Sequence, residues 1–249
     1  MTATLRVCAL YPELMNIYAD RGNIAVLRAR CEWRGLRFEL AAATIGEPLN
    51  PAAHDLVYIG GGQDRDQVAV AHDMAQTKRE AMHAAADRGA VVLAVCGGYQ
   101  LLGHSYQLGE RELPGVGLVD LHTIRVEGPR LIGNCAIETD LGGAGGRNGS
   151  GPGPRVIAGF ENHGGRTHLG PGEQPLGRVL RGHGNNGEDG LEGVLRGNVI
   201  GTYLHGPLLP KNVWLADRLI ELALGIELDP LEDTLEDAAH ASARRAAGV

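Results

Sequence analysis

The first half of the chain alternates between two patterns of apolar residues. Near-continuous apolar runs, typical of buried strands, alternate with stretches in which apolar residues recur at helical spacing. The strand-like runs are residues 5–12, 36–44, 54–64 and 90–95, and the helical stretches are residues 23–35 and 66–89. Strands that are apolar along their whole length are buried on both faces. The pattern therefore predicts an α/β fold, a doubly wound and mostly parallel sheet with helices on both faces.

After residue 110 the pattern becomes richer in strands. The strand-like runs are residues 115–126, 130–141, 155–165 and 198–206. The glycine-rich residues 142–155 predict a flexible insertion between two of these strands. An amphipathic helix at residues 212–224 is expected to pack back on the sheet, so residues 1–225 are predicted to form one domain. Residues 226–249 form a tail that is either an exposed helix or disordered.

Composition and charge are those of an ordinary globular protein. Of the 249 residues, 43% are apolar and 21% are charged. The formal net charge of −7 argues against binding to nucleic acid through its phosphates. The sequence has no apolar run of about 18 residues and no secretory signal pattern. We therefore expect a cytoplasmic protein with no membrane insertion.

The cysteines are too scattered for a C-x-x-C metal knuckle or a dense disulfide framework. Three of them lie in apolar stretches and are expected to be core residues: Cys8, Cys31 and Cys135. Cys96 instead ends an apolar run and precedes Gly97 and Gly98. A turn from strand to helix exposes a thiol and places it at the positive end of a helix, which lowers its pKa. This pattern favours a nucleophile at Cys96, with a small core residue as the alternative.

A second glycine-rich turn, residues 59–64, precedes the Cys96 strand by one helix. Because the carboxyl ends of parallel strands meet at one edge of a sheet, both turns are expected to open on the same crevice. The backbone amides of Gly97 and of Gly61 or its neighbour Gly60 are then placed to stabilise an oxyanion formed at Cys96. Ordinary loop glycines are the alternative.

A cysteine nucleophile also needs a base, and the chain has ten histidines. His205 is the best candidate, because it follows a strand-like run and precedes Gly-Pro near the end of the domain. His163, which also lies in a glycine-rich turn, is the second choice.

Five motifs together resemble those of the class I, triad-type glutamine amidotransferases. That family's cysteine turn is often written G-x-C-x-G-x-Q, and here Cys96, Gly98 and Gln100 match while Ala94 replaces the first glycine. More narrowly, the ordered set resembles the GatD-type glutaminase subunits of lipid II isoglutaminyl synthases. The motifs are LYPELMNIYADRGNIAVL, IGGGQD, CGGYQLLG, GFENHGGRT and GTYLHGPLLPKN. The resemblance spans most of residues 5–224 and implies the flavodoxin-like fold of this family.

The resemblance also implies a reaction. Cys96 would attack the side-chain amide of glutamine and release ammonia, while His205 would move the protons. Arg130 matches the position where GatD-type proteins hold the α-carboxylate of glutamine, a task suited to the guanidinium fork. A solvated surface arginine is the alternative for Arg130. Gln63 and Gln100 are further candidate substrate-binding residues.

A third catalytic residue is not readable from the sequence. Many relatives carry H-x-E, and Pro207 stands where that glutamate is expected. Either a dyad of Cys96 and His205 suffices, or an acid from elsewhere, such as Asp20, takes its place.

The ammonia released by such a reaction needs a consumer. The chain has no G-x-x-x-x-G-K-[ST] nucleotide loop, since neither Lys78 nor Lys211 follows a glycine, so the synthetase is expected to be a separate chain. By resemblance that partner is a Mur-ligase-like protein of the MurT type, which binds ATP and Mg²⁺. The resulting heterodimer would amidate the α-carboxyl of D-glutamate in lipid II during peptidoglycan synthesis. No cofactor or metal is expected on this chain itself.

Three other functions remain open. A cobyrinate- or cobyric-acid-type glutaminase shares the cysteine elbow, although such enzymes usually carry the ATP-binding domain on the same chain. A stand-alone Cys-His γ-glutamyl hydrolase would turn over without a partner. A catalytically silent α/β module is disfavoured because Cys96, His205 and two glycine turns occur together.

Overall fold

The structure, a computed structural model, describes residues 2–17, 20–141 and 154–249. Six strands form its central sheet: β1 (Thr4–Leu10), β2 (Arg37–Ala43), β3 (Leu56–Ile59), β4 (Val91–Val95), β13 (Val194–Arg196) and β14 (Val199–Thr202). Their order is β13-β14-β4-β3-β1-β2, and every neighbouring pair is parallel except β13 with β14. The inner strands β3 and β4 are buried along their whole length, as their unbroken apolar sequence predicts.

The helices lie close to their predicted positions. They are α1 (Arg21–Glu32), α2 (Asp64–Asp73), α3 (Arg79–Asp87), α4 (Gly97–Leu102), α5 (Val213–Leu224) and α6 (Thr234–Ala247). The long helix predicted at residues 66–89 is present as α2 and α3, which a π-helical segment, Met74–Lys78, joins. In α1, Leu27 and Cys31 are one turn apart and both are buried, as helical spacing requires. Helix α5 packs beside α1 and on β1 and β4.

Two further sheets follow the cysteine turn. The first contains β5 (Ser105–Leu108), β6 (Arg111–Pro114), β7 (Leu121–Arg125) and β10 (Gly165–Leu169). The second contains β8 (Leu131–Thr139), β9 (Arg155–His163), β11 (Gly177–Arg181) and β12 (Leu191–Glu192). The strand-rich character predicted for this half is confirmed, but most of these strands leave the central sheet. The glycine-rich insertion predicted at residues 142–155 lies almost entirely outside the described residues.

The C-terminal tail is helical, so the disordered alternative is wrong for residues 234–247. Helix α6 packs against β8 and β9, and the Asn134 side chain donates to the carbonyl of Ala246 at 2.9 Å. The segment before α6 is tied to the first helix, because the buried guanidinium of Arg30 bonds both Asp217 and Asp233. The domain boundary at residue 225 stays a prediction.

The three cysteines expected in the core are buried free thiols: Cys8, Cys31 and Cys135. Within the described ranges, none of the helices combines the length and the apolar character that crossing a membrane would need.

Candidate active site

The turn at Cys96 is a sharp elbow between β4 and α4. Cys96 has φ 51° and ψ −105°, a backbone conformation that costs a residue with a Cβ about 1–3 kcal/mol and that clusters at functional sites. Gly98 is needed next to it, since an added Cβ would lie 2.7 Å from Cγ2 and 2.8 Å from the carbonyl oxygen of Ile59. The structure therefore contains the strand-to-helix elbow that the sequence predicts.

The Cys96 thiol is held in its neutral form. Its residue is only 5% exposed, and burial raises the pKa of Cys96 to about 12, with the negative charge of Asp20 adding to the rise. Arg130 and the Gly97 amide lower the pKa of Cys96 by less. The expectation of a lowered thiol pKa is wrong for this state of the protein, because desolvation outweighs the end of the helix. Reaction at Cys96 therefore requires a base.

The second glycine turn, Gly60–Gly62, lies beside the elbow as predicted. A Cβ added to Gly61 would lie 3.3 Å from the Cβ of Cys96. However, the Gly61 amide donates to Oδ2 of Asp20 at 2.8 Å, and its carbonyl accepts from the Ile17 amide at 3.1 Å. An N–H group makes one good hydrogen bond at a time, so the predicted oxyanion donor at Gly61 is occupied in this structure. The Gly97 amide bonds the Cys96 side chain, which is consistent with its predicted position at the reacting sulfur.

His205 follows the strand that neighbours the cysteine strand. The Cys96 amide donates to the carbonyl of Thr202 at 2.8 Å, at the end of β14. His205 lies three residues further on, where its backbone pairs with Phe160 in both directions at 2.9 and 3.0 Å. Burial, together with the cations Lys211 and Arg130, lowers the pKa of His205 to about 4. The imidazole is therefore neutral near pH 7, which is the form that accepts a proton.

His163, the second candidate base, is also buried. Its ring stacks on that of Tyr203, with centroids 3.6 Å apart and planes at 6°. Nδ1 bonds the carbonyl oxygen of Gly165 at 2.8 Å, whereas Nε2 is buried without a hydrogen-bond partner among the described residues. Burial lowers the pKa of His163 to about 3. The structure thus brings both candidate histidines into one region. The ring of His163 is held there by its stacking on Tyr203 and by the hydrogen bond of Nδ1 to Gly165.

The position of the missing triad glutamate is filled by an apolar contact. A Cβ on Gly22 would lie 2.7 Å from Cγ of Pro207, so Pro207 packs against the first turn of α1. The carboxylate of Asp20, suggested above as a substitute, bonds the amide of Gly61 through Oδ2 instead of an imidazole. Its Oδ1 is buried without a hydrogen-bond partner among the described residues. Asp20 therefore does not act as the orienting acid of a triad in this structure.

A cavity of about 660 Å³ opens beside the second glycine turn, and its lining includes Arg130, Gln63 and Ile17. The side chain of Asn162 holds Nε of Arg130 at 2.7 Å, and the carbonyl oxygen of Asn162 holds Nη2 at the same distance. These bonds use one edge of the guanidinium group and leave the edge formed by Nη1 and Nη2 for a ligand. The structure thus places Arg130 and Gln63 together, at a cavity that a small molecule could enter.

Gln100 is not among the residues that line this cavity, and its substrate-binding role stays a prediction. Its Oε1 accepts from Gln67 Nε2 at 2.7 Å, and its Nε2 donates to the Tyr203 hydroxyl at 3.1 Å. That hydroxyl also contacts Thr167 at 2.6 Å. Both the oxygen and the nitrogen of the Gln100 amide therefore make hydrogen bonds to buried side chains, and these bonds support helix α4 of the elbow.

Sequence reasoning missed two residues that hold the His205 strand. Glu192 is fully buried and accepts hydrogen bonds from the Tyr203 amide at 2.6 Å and from the Thr202 hydroxyl at 3.1 Å. Burial raises the pKa of Glu192 to about 8. Asn212 bonds both the amide and the carbonyl of Ala158 at 2.9 and 2.8 Å. Nothing in the sequence marks either residue, since each is an isolated polar residue whose partners are distant in the chain.

The arrangement has the parts of a covalent hydrolytic site: a strained nucleophile, neutral histidines and a cavity with an arginine. Across the described residues, no group of three or more His, Cys, Asp or Glu side chains could hold a metal ion.

Residues 6–213 match the CobB/CobQ-like glutamine amidotransferase domain. The matched region contains both Cys96 and His205, so the site described above lies within it. The chain therefore belongs to this family and is a glutamine amidotransferase.

Within the family, the chain is similar to the GatD subunit of lipid II isoglutaminyl synthase (glutamine-hydrolyzing). It is 39% identical to that subunit of Staphylococcus aureus (strain N315), over 88% of this chain and 86% of the relative. It is 36% identical to that of Streptococcus pneumoniae (strain ATCC BAA-255 / R6), over 93% of this chain and 87% of the relative. The resemblance that the motifs indicate is thus confirmed. Cobyric acid synthase of Pelotomaculum thermopropionicum is 36% identical, but this chain covers only 37% of that protein.

Two solved structures share the fold at low sequence identity. One is PurLQS from Thermotoga maritima, with a TM-score of 0.57 at 19% identity over 90% of this chain and 99% of the other. The other is the glutaminase domain of Trypanosoma brucei CTPS with bound acivicin, with a TM-score of 0.51 at 10% identity, over 90% of this chain and 96% of the other. These likenesses confirm the predicted α/β fold class of the glutamine amidotransferases.

Proposed function

We propose that this chain is a glutaminase subunit that hydrolyses L-glutamine to glutamate and ammonia for a separate ATP-dependent synthetase. The observation that carries the proposal is the strained Cys96 elbow, which hydrogen-bonds the strand leading to His205 and adjoins the Gly60–Gly62 turn. This is the geometry of a nucleophile that is fixed in position before the substrate arrives.

In the proposed reaction, the Cys96 sulfur attacks the side-chain carbonyl carbon of glutamine. The thiol proton passes to neutral His205, which then protonates the departing ammonia. A γ-glutamyl thioester remains on Cys96. Water, deprotonated by His205, attacks the thioester, and glutamate leaves as the thiol is restored. The Gly97 amide, already bonded to the Cys96 side chain, supports stabilisation of the oxyanion in both steps.

Arg130 is proposed to bind the α-carboxylate of glutamine. Asn162 holds one edge of its guanidinium group, and the Arg130 residue is part of the cavity lining. The bonding partner is a neutral amide, so the positive charge of Arg130 is available to an anion. Gln63, in the same lining, is proposed as a second polar contact to the substrate.

The acceptor of the ammonia is proposed from the relatives. Two proteins named as GatD subunits of lipid II isoglutaminyl synthase match this chain over most of their length. We infer that a Mur-ligase-like partner of the MurT type binds ATP and Mg²⁺, forms a heterodimer with this chain in the cytoplasm, and amidates the D-glutamate α-carboxyl of lipid II. The absence of a nucleotide-binding loop from the sequence supports a separate synthetase.

The test is amidation of lipid II by this chain together with its Mur-ligase-like partner, with ATP and either glutamine or ammonium as the nitrogen source. We expect wild-type protein to use both sources, and Cys96→Ser to use only ammonium. A complex that amidates cobyrinic or cobyric acid precursors but not lipid II would instead establish the alternative function. Glutamine hydrolysis at the full rate without any partner would favour a stand-alone hydrolase.

A further inference from the structure

Asp20 occupies an unusual position for an ionisable residue. It is 0% exposed and lies directly before α1. Oδ2 accepts from the Gly61 amide at 2.8 Å, while Oδ1 is buried with no hydrogen-bond partner among the described residues. An unsatisfied carboxylate oxygen costs free energy in the interior, so such a residue is rarely present for stability alone.

Within the described part of the chain, no cation is among the groups that shift the pKa of the Asp20 carboxyl. The carboxylate is influenced by burial, which raises the pKa of Asp20 to about 7, and by the Gly61 amide, which lowers it. The Tyr58 hydroxyl of β3 donates to the backbone carbonyl oxygen of Asp20 at 3.3 Å, and the neutral side chain of Asn23 in α1 donates to that hydroxyl. The Cys96 thiol is the third neighbouring group. Asp20 is therefore only partly ionised near pH 7, and its charge, where present, acts on the Cys96 thiol.

This placement opposes the reaction in two ways. A negative charge near Cys96 makes the thiolate harder to form. In addition, the hydrogen bond to Asp20 engages the Gly61 amide, which lies beside Cys96 and would otherwise be available to an oxyanion. The first effect depends on the ionised carboxylate, and the charge also strengthens the hydrogen bond from Gly61.

We propose that Asp20 is a positioning residue that restrains the glutaminase site, since its ionised carboxylate withholds the Gly61 amide and disfavours the thiolate of Cys96. The restraint weakens when Asp20 is protonated, because the charge is lost, and it is lifted when the bond from Gly61 is also replaced. The inference rests on the proposed function for its biological meaning, but its effect on the thiol exists whether or not glutamine is the substrate.

The experiment measures alkylation of Cys96 by iodoacetamide, a neutral reagent, in the full-length chain from pH 6 to 9. The modified residue is located by peptide mass mapping, and Cys96→Ser gives the background from the three core cysteines. Asp20→Asn keeps the shape and a hydrogen-bond acceptor but removes the charge. We expect its alkylation rate at pH 8 to exceed that of wild type by about 3- to 10-fold, the size of effect that a nearby like charge has on a thiol.

Asp55→Asn is the matched control. Asp55 is also a buried aspartate, but it accepts hydrogen bonds from Arg6 directly before β3, away from the elbow. It should alkylate at the wild-type rate. An Asp20→Asn rate equal to or below that of wild type would overturn the proposal, and Asp20 would then be only a structural support of the glycine turn.

A second measurement needs no variant at Asp20. Below the thiol pKa, the alkylation rate of an isolated thiol rises tenfold per pH unit. In wild type, ionisation of Asp20 near pH 7 should reduce that slope locally, since the thiolate becomes harder to form as Asp20 gains its charge. A uniform tenfold rise through this range would contradict the proposal even if Asp20→Asn failed to fold. Failure of the proposed function would look different: no glutamine hydrolysis by the wild-type complex, with the alkylation profile unaffected.

Discussion

The two sides of the candidate site are built differently. The histidine side, from Thr202 to Asn212, is held by many hydrogen bonds: Glu192 binds Thr202 and Tyr203, Phe160 pairs with His205, and Asn212 binds Ala158. The cysteine side combines strained backbone at Cys96 and the Gln100 hydrogen bonds with a buried carboxylate, Asp20, at the neighbouring turn. The backbone of His205 is thus held by paired hydrogen bonds, whereas Cys96 and Gly61 lie near the Asp20 Oδ1 atom, which has no hydrogen-bond partner among the described residues.

This difference indicates which side of the site contains backbone strain and polar atoms without hydrogen bonds. Satisfied networks stabilise one arrangement, while strain and unsatisfied polar atoms favour a change of state when a ligand compensates them. We therefore expect substitutions on the cysteine side to change reactivity with little loss of stability. Substitutions on the histidine side should change both.

The largest effect is expected at the nucleophile. Cys96→Ala and Cys96→Ser should abolish glutamine hydrolysis, because no other thiol lies on a strained turn among the described residues. Thermal unfolding should stay close to wild type, since alanine and serine also carry a Cβ and keep the same backbone strain at φ 51°. The assay is steady-state ammonia release with the partner present. Cys31→Ala, a core cysteine outside the site, should lose stability but keep the activity per folded molecule, and retention of most activity by Cys96→Ala would refute the assignment.

The next largest effect is expected at the base. His205→Ala should lower the rate of thioester formation by about two to four orders of magnitude, the usual contribution of a positioned acid–base group. His163→Gln should lower it much less, since His163 is held by its stacking on Tyr203 and its bond to Gly165. Single-turnover trapping of the thioester measures both. A larger loss in the His163 variant would move the base to β9.

A smaller effect, on binding, is expected at the cavity. Arg130→Ala should raise KM for glutamine strongly and lower kcat less, because its contact is remote from the reacting carbon but orients it. Arg130→Lys should restore binding only in part, since the planar fork is lost. Arg65→Ala is the control, because Arg65 lines the same cavity with its side chain 93% exposed. Equal KM values for Arg130→Ala and wild type would place Arg130 on the solvated surface.

The smallest effect concerns stability on the histidine side. The pKa of Glu192 is raised by burial to about 8, so the native state holds its proton more tightly than the unfolded state does. Its contribution to stability is complete below the unfolded pKa and is lost as the pH rises to about 8. Glu192→Gln, which cannot ionise, should therefore gain in melting temperature relative to wild type between pH 5 and pH 9. A difference in melting temperature that does not change with pH would show that Glu192 does not titrate in this way.

Those residues that form local patterns were predictable from the sequence. The strands, the helices and the elbow at Cys96 each depend on the spacing of apolar residues and glycines within a few positions. Contacts with the rest of the fold do not change these elements. The two glycine turns were predictable as neighbours, because the chain order of parallel strands determines which loops share an edge. Arg130 and Gln63 both line the cavity, and their roles in binding glutamine stay predictions.

The remaining features depend on contacts between distant residues. Gln100 matches a family motif, yet its direction is set by Gln67 and Tyr203, which no local pattern reveals. The hydrogen bond between Asp20 and Gly61 joins the loops that follow two different strands. Because of it, the Gly61 amide, which was expected to be available to an oxyanion, already has an acceptor. The thiol pKa was predicted in the wrong direction because burial, unlike the end of a helix, cannot be read from a turn motif.

The hydrogen bond from the Cys96 amide to Thr202 joins two neighbouring strands of one sheet, although nearly half of the chain lies between them. Of the described strands between α4 and β14, β5 to β12 lie outside the central sheet and β13 alone belongs to it. Insertions or deletions in that interval, which includes the glycine-rich residues 142–153, can therefore accumulate without separating Cys96 from His205. Descendants of one ancestral gene can therefore exchange their accessory strands while inheriting the same pair of residues, Cys96 and His205.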